Sequence, residues 1–431
     1  MLTIPFLSRL PVAKRDQYLL FGAMLVIASG NTGLQSVLPA IGRSLKVPDP
    51  LVATAFSFSA LLWAMAAPFW AKRIGRIGAR RMVLTGLAGF IGATALCALS
   101  LTAGLVGWVT GGVAFAGFIV GRTVYGSFGA AAPPAAQAQI VMQTPRDERV
   151  KALSLLASAF GLGTILGPAF APFFLLPVVG LAGPLYMFAL AGGAMWLAVL
   201  LFLSDFRAPH LRAVPAAEPG IGSEPVDAPA DADELAGEKV VRWRDSRIWP
   251  WMLSGLVAGH AQAIVGQTLA FLLIDRIAVA PAVAQPLIGI VLMAGAASAL
   301  LAQWGVIPRL DMQPRSVVLW GAGLAALGCA GVAFAPGLHA IGVSFAIASL
   351  GFGFLRPGFT AGASLAVEEA EQGSVAGRVT AANGLVFMFG PAVGILMYEV
   401  WRPLPYVASA IALLVLLFYC LGRLPKGLTS R

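Results

Sequence analysis

Residues 83–141 read VLTGLAGFIGATALCALSLTAGLVGWVTGGVAFAGFIVGRTVYGSFGAAAPPAAQAQIV and hold one charged side chain, Arg122. A helix crosses the hydrocarbon layer with about 20 mostly apolar residues. The run is therefore long enough for two spans, 83–104 and 109–141, with a turn between them that no charge marks. The same criterion applied along the chain gives further spans near 18–40, 51–71, 153–177, 184–204, 249–274, 283–307, 316–336, 339–366, 380–400 and 405–422. The fold class this predicts is an all-α integral membrane protein with about twelve transmembrane helices.

Composition agrees. Hydrophobic residues make up 58% of the 431 and charged residues 11%, against about 25% charged in soluble domains. The 50 glycines and 29 prolines suit membrane helices. A net charge of +10 would fit nucleic acid, but the basic residues sit in short clusters between apolar runs, so no nucleic-acid partner is expected. Cys97, Cys329 and Cys420 each lie inside an apolar run, without the spacing of a zinc site or a disulfide framework. The first apolar run, after Arg9, Lys14 and Arg15, is too long for a signal-peptide core and reads as an uncleaved span.

Charge placement sets the expected topology. With the N-terminus in the cytoplasm, 23 Lys and Arg fall in cytoplasmic segments and four (Arg43, Lys46, Arg276 and Arg402) in outer ones. The remaining two, Arg122 and Arg356, lie within spans. The positive-inside rule then predicts an inner-membrane protein with both termini cytoplasmic. Residues 205–247, rich in Pro, Ala, Asp and Glu, read as a cytoplasmic linker. It separates an N-terminal six-helix bundle (1–204) from a C-terminal one (248–431). The halves repeat: Trp70 and Trp304, Arg81 and Arg315, and Arg122 and Arg356 are each 234 residues apart. The Gly167-Pro168 and Gly390-Pro391 pairs are 223 apart. Two such pseudo-symmetric bundles place a substrate site near the midplane.

Five stretches resemble a known family. The turn Trp70-Ala71-Lys72-Arg73-Ile74-Gly75-Arg76-Ile77-Gly78-Ala79-Arg80-Arg81 resembles a family pattern of Asp, then Arg-x-Gly, then basic residues. Arg76, Gly78, Arg80 and Arg81 match it, and Gly75 stands at the Asp position. Span four carries Arg122-x-x-x-Gly126-x-x-Gly129, span five Gly163-x-x-x-Gly167-Pro168, and span seven His260, Gln262 and Gln267 before Asp275-Arg276. A further turn, Glu371-Gln372-Gly373 and then Gly377, precedes span eleven. On these motifs the chain resembles the twelve-span drug:proton antiporters of the major facilitator superfamily, the tetracycline-efflux-like branch in particular, over almost all of its length outside the linker. The resemblance implies a gating role for the basic turn, coupling of proton or substrate at Arg122, and export from the span-five motif.

Residue chemistry supports this reading and modifies it. A cation inside a membrane costs roughly 2.5 kcal/mol or more and therefore faces a cavity or a partner. Glycines four apart allow close helix contact, and proline bends the helix. The polar residues expected to line the cavity are Asn31, Gln35, Arg122, Tyr125, His260, Gln262, Gln267 and Arg356. His260 serves either as a proton carrier or as a structural residue bonded to a backbone carbonyl. Asn31 stands where many relatives have an acid. The acids read near the membrane are Asp275, Glu368, Glu369 and Glu399, all close to span ends. Two arginines without a deep carboxylate favour anionic or zwitterionic solutes. No catalytic constellation, metal cluster or phosphate loop occurs, so neither an enzyme nor a cofactor is expected. The expected partners are a small-molecule solute, protons and the lipid bilayer, with the chain a monomer. Export of an amphiphilic or anionic solute by proton antiport leads. Uptake or exchange of an organic anion such as a siderophore or carboxylate, and a transporter-fold receptor or assembly factor, are the alternatives.

Overall fold

A computed structural model of the chain describes residues 11–144, 149–175, 179–205 and 241–425. Most of the linker, 206–240, lies outside these residues. The described part is helical. α1 (Val12–Ser44) and α2 (Asp49–Ala71) are followed by a short α3 (Ile74–Ile77) in the basic turn, then α4 (Ala79–Leu105). Span four is α5 (Gly111–Phe128), a 3-10 turn at Gly129–Ala131 and α6 (Ala132–Gln143). The break falls where Pro133 and Pro134 enter, because proline suits the first turn of a helix and not its interior. α7 (Arg149–Phe170) and α8 (Gly183–Phe202) complete the first six spans.

The second six are α9 (Trp249–Ile277), α10 (Pro281–Leu300) continued by a π turn and α11 (Ile307–Arg309), α12 (Pro314–Phe334), α13 (Leu338–Leu365), α14 (Glu369–Val400) and α15 (Leu404–Arg423). Among the described residues, ten helical runs are long and apolar enough to cross a membrane. Shorter apolar stretches, Ile165–Phe174 and Phe389–Val400, lie at the ends of α7 and α14. The expected turn between spans three and four falls at 106–110, where Gly107 has φ +84° and the Thr110 side chain caps α5 through the Val113 amide.

Two compact units emerge, Met1–Leu34 with Phe58–Ala228, and Gln35–Ser57 with Pro229–Arg431. The division does not follow the linker, because the α1–α2 corner packs with the second unit. The first unit has an apolar core of α1, α2, α4, α5, α6, α7 and α8 around Met24, Trp63, Phe90 and Tyr125. In the second, Ala302, Val317 and Phe354 form a smaller cluster. Both units expose large apolar side chains, such as Leu190 and Leu201 in the first and Leu327 and Phe418 in the second, as lipid-facing helices do.

Candidate functional site

In the first unit, Arg122 lies on α5 and is 5% exposed. Close helix packing puts it there. A Cβ on Gly126 would sit 2.6 Å from the Ser59 carbonyl oxygen on α2, so the glycine brings α5 against α2. The Ser59 hydroxyl then donates to the Arg122 carbonyl at 3.1 Å. The guanidinium Nη1 donates to Asn31 Oδ1 on α1 at 3.1 Å. Its carbon lies 4.7 Å from the Tyr125 ring centroid, and that ring packs against Trp63 at 5.2 Å and Phe90 at 6.3 Å. Asn31, Arg122 and Tyr125, three of the expected site residues, thus meet. An amide oxygen orients the guanidinium without neutralising it, whereas a carboxylate at Asn31 would form an ion pair.

The span-five motif packs on the same α1. A Cβ on Gly163 would meet the Ala28 Cβ at 2.6 Å, and one on Gly167 would meet the Ser29 oxygen and Thr32 Oγ1 at 2.3 Å. The Thr32 hydroxyl donates to the Gly163 carbonyl at 3.1 Å. Pro168, buried at this contact, follows directly. In the second unit Gly390 meets Ala263, and Gly394 meets Ile264, on α9. Ser29 and Ala263 are 234 residues apart, and Gly167 and Gly390 are 223 apart. The two offsets therefore describe one repeated contact, with the slip entering the chain after span four.

The basic turn is built on Gly78, whose φ of +90° is open to glycine at little cost. Arg76 and Arg81 are exposed. Arg80 donates to the Leu200 carbonyl at the end of α8, and Arg315 donates to the Leu421 carbonyl at the end of α15 at 3.0 Å. By contact, then, the counterpart of Arg315 is Arg80, one residue from the sequence match at Arg81.

The other expected residues lie in the second unit. Gln35 on α1, Gln262 and Gln267 on α9, and Arg356 on α13 are half-buried. His260 Nδ1 pairs with the Leu256 carbonyl at 2.8 Å. When the ring is neutral, Nδ1–H donates there and Nε2 is free of its proton. Of the Asp275-Arg276 pair, Arg276 caps the end of α12 through the Ala335 carbonyl at 2.7 Å. Asp275 turns the other way, toward Arg43, Tyr398 and Arg402.

Sequence reasoning missed two acids among those near the membrane. Asp16 lies in the first turns of α1, fully buried. It accepts from Gln143 Nε2 at 2.8 Å, Gln139 Nε2 at 3.4 Å and the Ser204 hydroxyl, tying α1 to α6 and the end of α8. Asp49 is also buried, at the start of α2. The second unit has a comparable tie at the start of α9: Arg247 bonds both Glu371 oxygens, at 2.8 and 2.9 Å, and pairs with Asp245. Nearby, the Val241 amide donates to Ser374 Oγ at 3.1 Å. Arg247 holds the half-buried Asp245 carboxyl below its ordinary value. Glu371 was visible in the sequence through the turn Glu371-Gln372-Gly373; Asp16 carried no signal, because it precedes the apolar run and only the helix brings it inside.

Fold and site together describe a polytopic helical membrane protein built from a duplicated six-span unit with a buried arginine in span four. Residues 20–377 match the family model of the Major Facilitator Superfamily, and the chain belongs to that superfamily of membrane transporters. Solved structures with this fold include the human organic anion transporter MFSD10 (TETRAN), with 17% identity, 95% of this chain and 100% of that one covered, and a TM-score of 0.63. A bacterial homolog of the human lysosomal transporter Spinster, in an inward-facing, unoccupied conformation, has 11% identity, 96% of each chain covered and a TM-score of 0.67. A POT family transporter in complex with 5-aminolevulinic acid has 14% identity, 96% and 97% covered, and a TM-score of 0.67. At these identities the likeness is one of fold. No curated protein matches the chain.

Proposed function

We propose that the chain is a secondary active transporter that exports a small amphiphilic or anionic organic solute across the inner membrane. On this reading it works as a monomer by proton antiport with alternating access, and both termini are cytoplasmic. The basic residues clustered at one end of the spans support the orientation. The span-five glycines packed on α1 support export, through the family resemblance of that motif.

The observation that carries the solute class is the contact between Arg122 and Asn31. A buried guanidinium oriented by a neutral amide keeps its charge through that contact, and a solute carboxylate or phosphate is the natural ligand of such a group. Arg122 and Arg356, one in each repeat, bind the solute. Tyr125, Gln35, Gln262 and Gln267 hydrogen-bond it, and His260 carries a proton on Nε2. The turn at Arg76, Gly78, Arg80 and Arg81 gates the cytoplasmic side.

Flux in inside-out and right-side-out vesicles under an imposed pH gradient tests this. Solute moving away from the cytoplasmic face as protons enter is the expected result, lost in Arg122→Ala and Arg356→Ala with membrane insertion intact. Flux indifferent to the gradient replaces antiport by uptake or exchange of an organic anion. If no organic solute moves and Arg122→Ala keeps the cellular phenotype, the chain is instead a transporter-fold receptor or assembly factor.

A further inference from the structure

At the α1–α2 corner, four charges from two repeats meet within the second unit. Arg43, at the end of α1, donates from Nε to Asp49 Oδ1 at 2.7 Å and from Nη1 to Asp275 Oδ1 at 2.8 Å. Asp275, at the end of α9, also accepts from the Tyr398 hydroxyl at 2.7 Å and lies 3.3 Å from Arg402 Nε. Both carboxylates are 7% exposed and Arg43 is 30% exposed. The Arg43 guanidinium also sits 5.8 Å from the Phe271 ring centroid on α9.

The members divide by element. Arg43 and Asp49 belong to the corner itself. Asp275, Tyr398 and Arg402 belong to α9 and the end of α14. Among the described residues, the Arg43–Asp275 pair and the Arg43–Phe271 contact cross from the corner to the second repeat. If the corner lifts away, Arg43 keeps Asp49, and Asp275 keeps Arg402 and Tyr398. Breaking a buried ion pair is costly chiefly because it leaves an uncompensated charge, and here each charge takes a counter-ion with it.

We propose that Asp49 and Arg402 are positioning residues that make this corner a reversible latch: each holds its partner's charge when Arg43 and Asp275 separate. The inference rests on the alternating-access reading above, which requires the corner to undock. It separates two sets of side chains that a simple salt-bridge clamp would treat alike. Loss of a crossing partner favours the undocked corner. Among the described residues, loss of Asp49 or Arg402 removes the counter-ion that remains after undocking and one of two before it, so it favours the docked corner. Asp49 has the larger effect, because Arg402 is 63% exposed and exposed pairs are weak.

The experiment measures spin-label distances in lipid nanodiscs on the full chain, with cysteines at the exposed Ser44 and Val279; the three native cysteines are buried. The reference is Phe271→Leu, which weakens a crossing contact without touching a charge and lets both states populate. Asp275→Asn is expected to raise the long-distance fraction. Asp49→Asn and Arg402→Gln, each in the Phe271→Leu chain, are expected to lower the undocked-to-docked ratio, roughly threefold or more for Asp49→Asn, with Asp49→Glu and Arg402→Lys restoring it. A rise in the long-distance fraction for Asp49→Asn or Arg402→Gln, or no change in either, overturns the proposal. Label distances are read without solute, so opposed shifts in a chain that moves no solute leave the latch standing and remove the transport reading. Normal flux without them does the reverse.

Discussion

Replacing Gly167 by alanine plants a methyl group in the backbone of α1. The new Cβ would stand 2.3 Å from the Ser29 carbonyl oxygen, 2.3 Å from Thr32 Oγ1 and 2.7 Å from the Gly33 nitrogen, whereas ordinary contact begins at 3.4 Å. Two of the three atoms are backbone, so no side-chain rotation relieves the overlap. α7 has to move from α1 by about 1.1 Å, the difference between 3.4 and 2.3 Å. Overpacking of this kind costs about 1–3 kcal/mol. The Thr32 bond to the Gly163 carbonyl lengthens as well, and interhelical bonds in membranes average about 0.6 kcal/mol. The matched control is Gly390→Ala, where the Cβ meets the Ala263 methyl at 2.6 Å and nothing else within 3.8 Å; a cost at the lower end, about 1 kcal/mol, is expected there. Thermal unfolding of the purified protein in detergent is the assay, with flux in proteoliposomes alongside. Gly167→Ala should unfold at a clearly lower temperature than Gly390→Ala and transport poorly. A Gly167→Ala protein with wild-type unfolding temperature, or a Gly390→Ala protein damaged as badly, would refute the packing argument.

Three other outcomes follow from the geometry. Asn31→Asp places a carboxylate against Arg122; the ion pair should weaken solute binding by tenfold or more in equilibrium binding of the transported anion, on the order of 1.4 kcal/mol, while Asn31→Gln should lose less. His260→Ala removes the ring held on the Leu256 carbonyl and should flatten the pH dependence of flux, whereas an unchanged profile assigns His260 a structural role only. At the start of α9, Arg247 depresses the Asp245 carboxyl below its ordinary 3.8. A depressed acid adds stability above its unfolded value and loses it as pH falls through the folded one. Hydrogen exchange of residues 241–248 should therefore quicken below about pH 3.8, beyond the intrinsic rate, and Asp245→Asn should remove that step.

Apolar run length and the 234-residue repeat were enough for the spans and the fold class, because a lipid environment imposes its demand on every span separately, and the quoted motifs pointed to the superfamily. The buried arginine and the span-five glycines were legible for the same reason: a cation or a glycine pair within an apolar helix stands out without knowledge of its neighbours. Asp16 and Asp49 did not stand out, since a carboxylate beside a span end reads alike whether it faces water or is enclosed, as Asp16 is by Gln139, Gln143 and Ser204 and Asp49 by Arg43. Only tertiary packing decided that Asn31 is the residue against Arg122, that Arg80 rather than Arg81 corresponds to Arg315, and that Arg43 reaches Asp275 across 232 positions of chain. Side-chain partners so far apart in sequence depend on helix rotation and close approach, which small residues at particular contacts set and which no single span encodes.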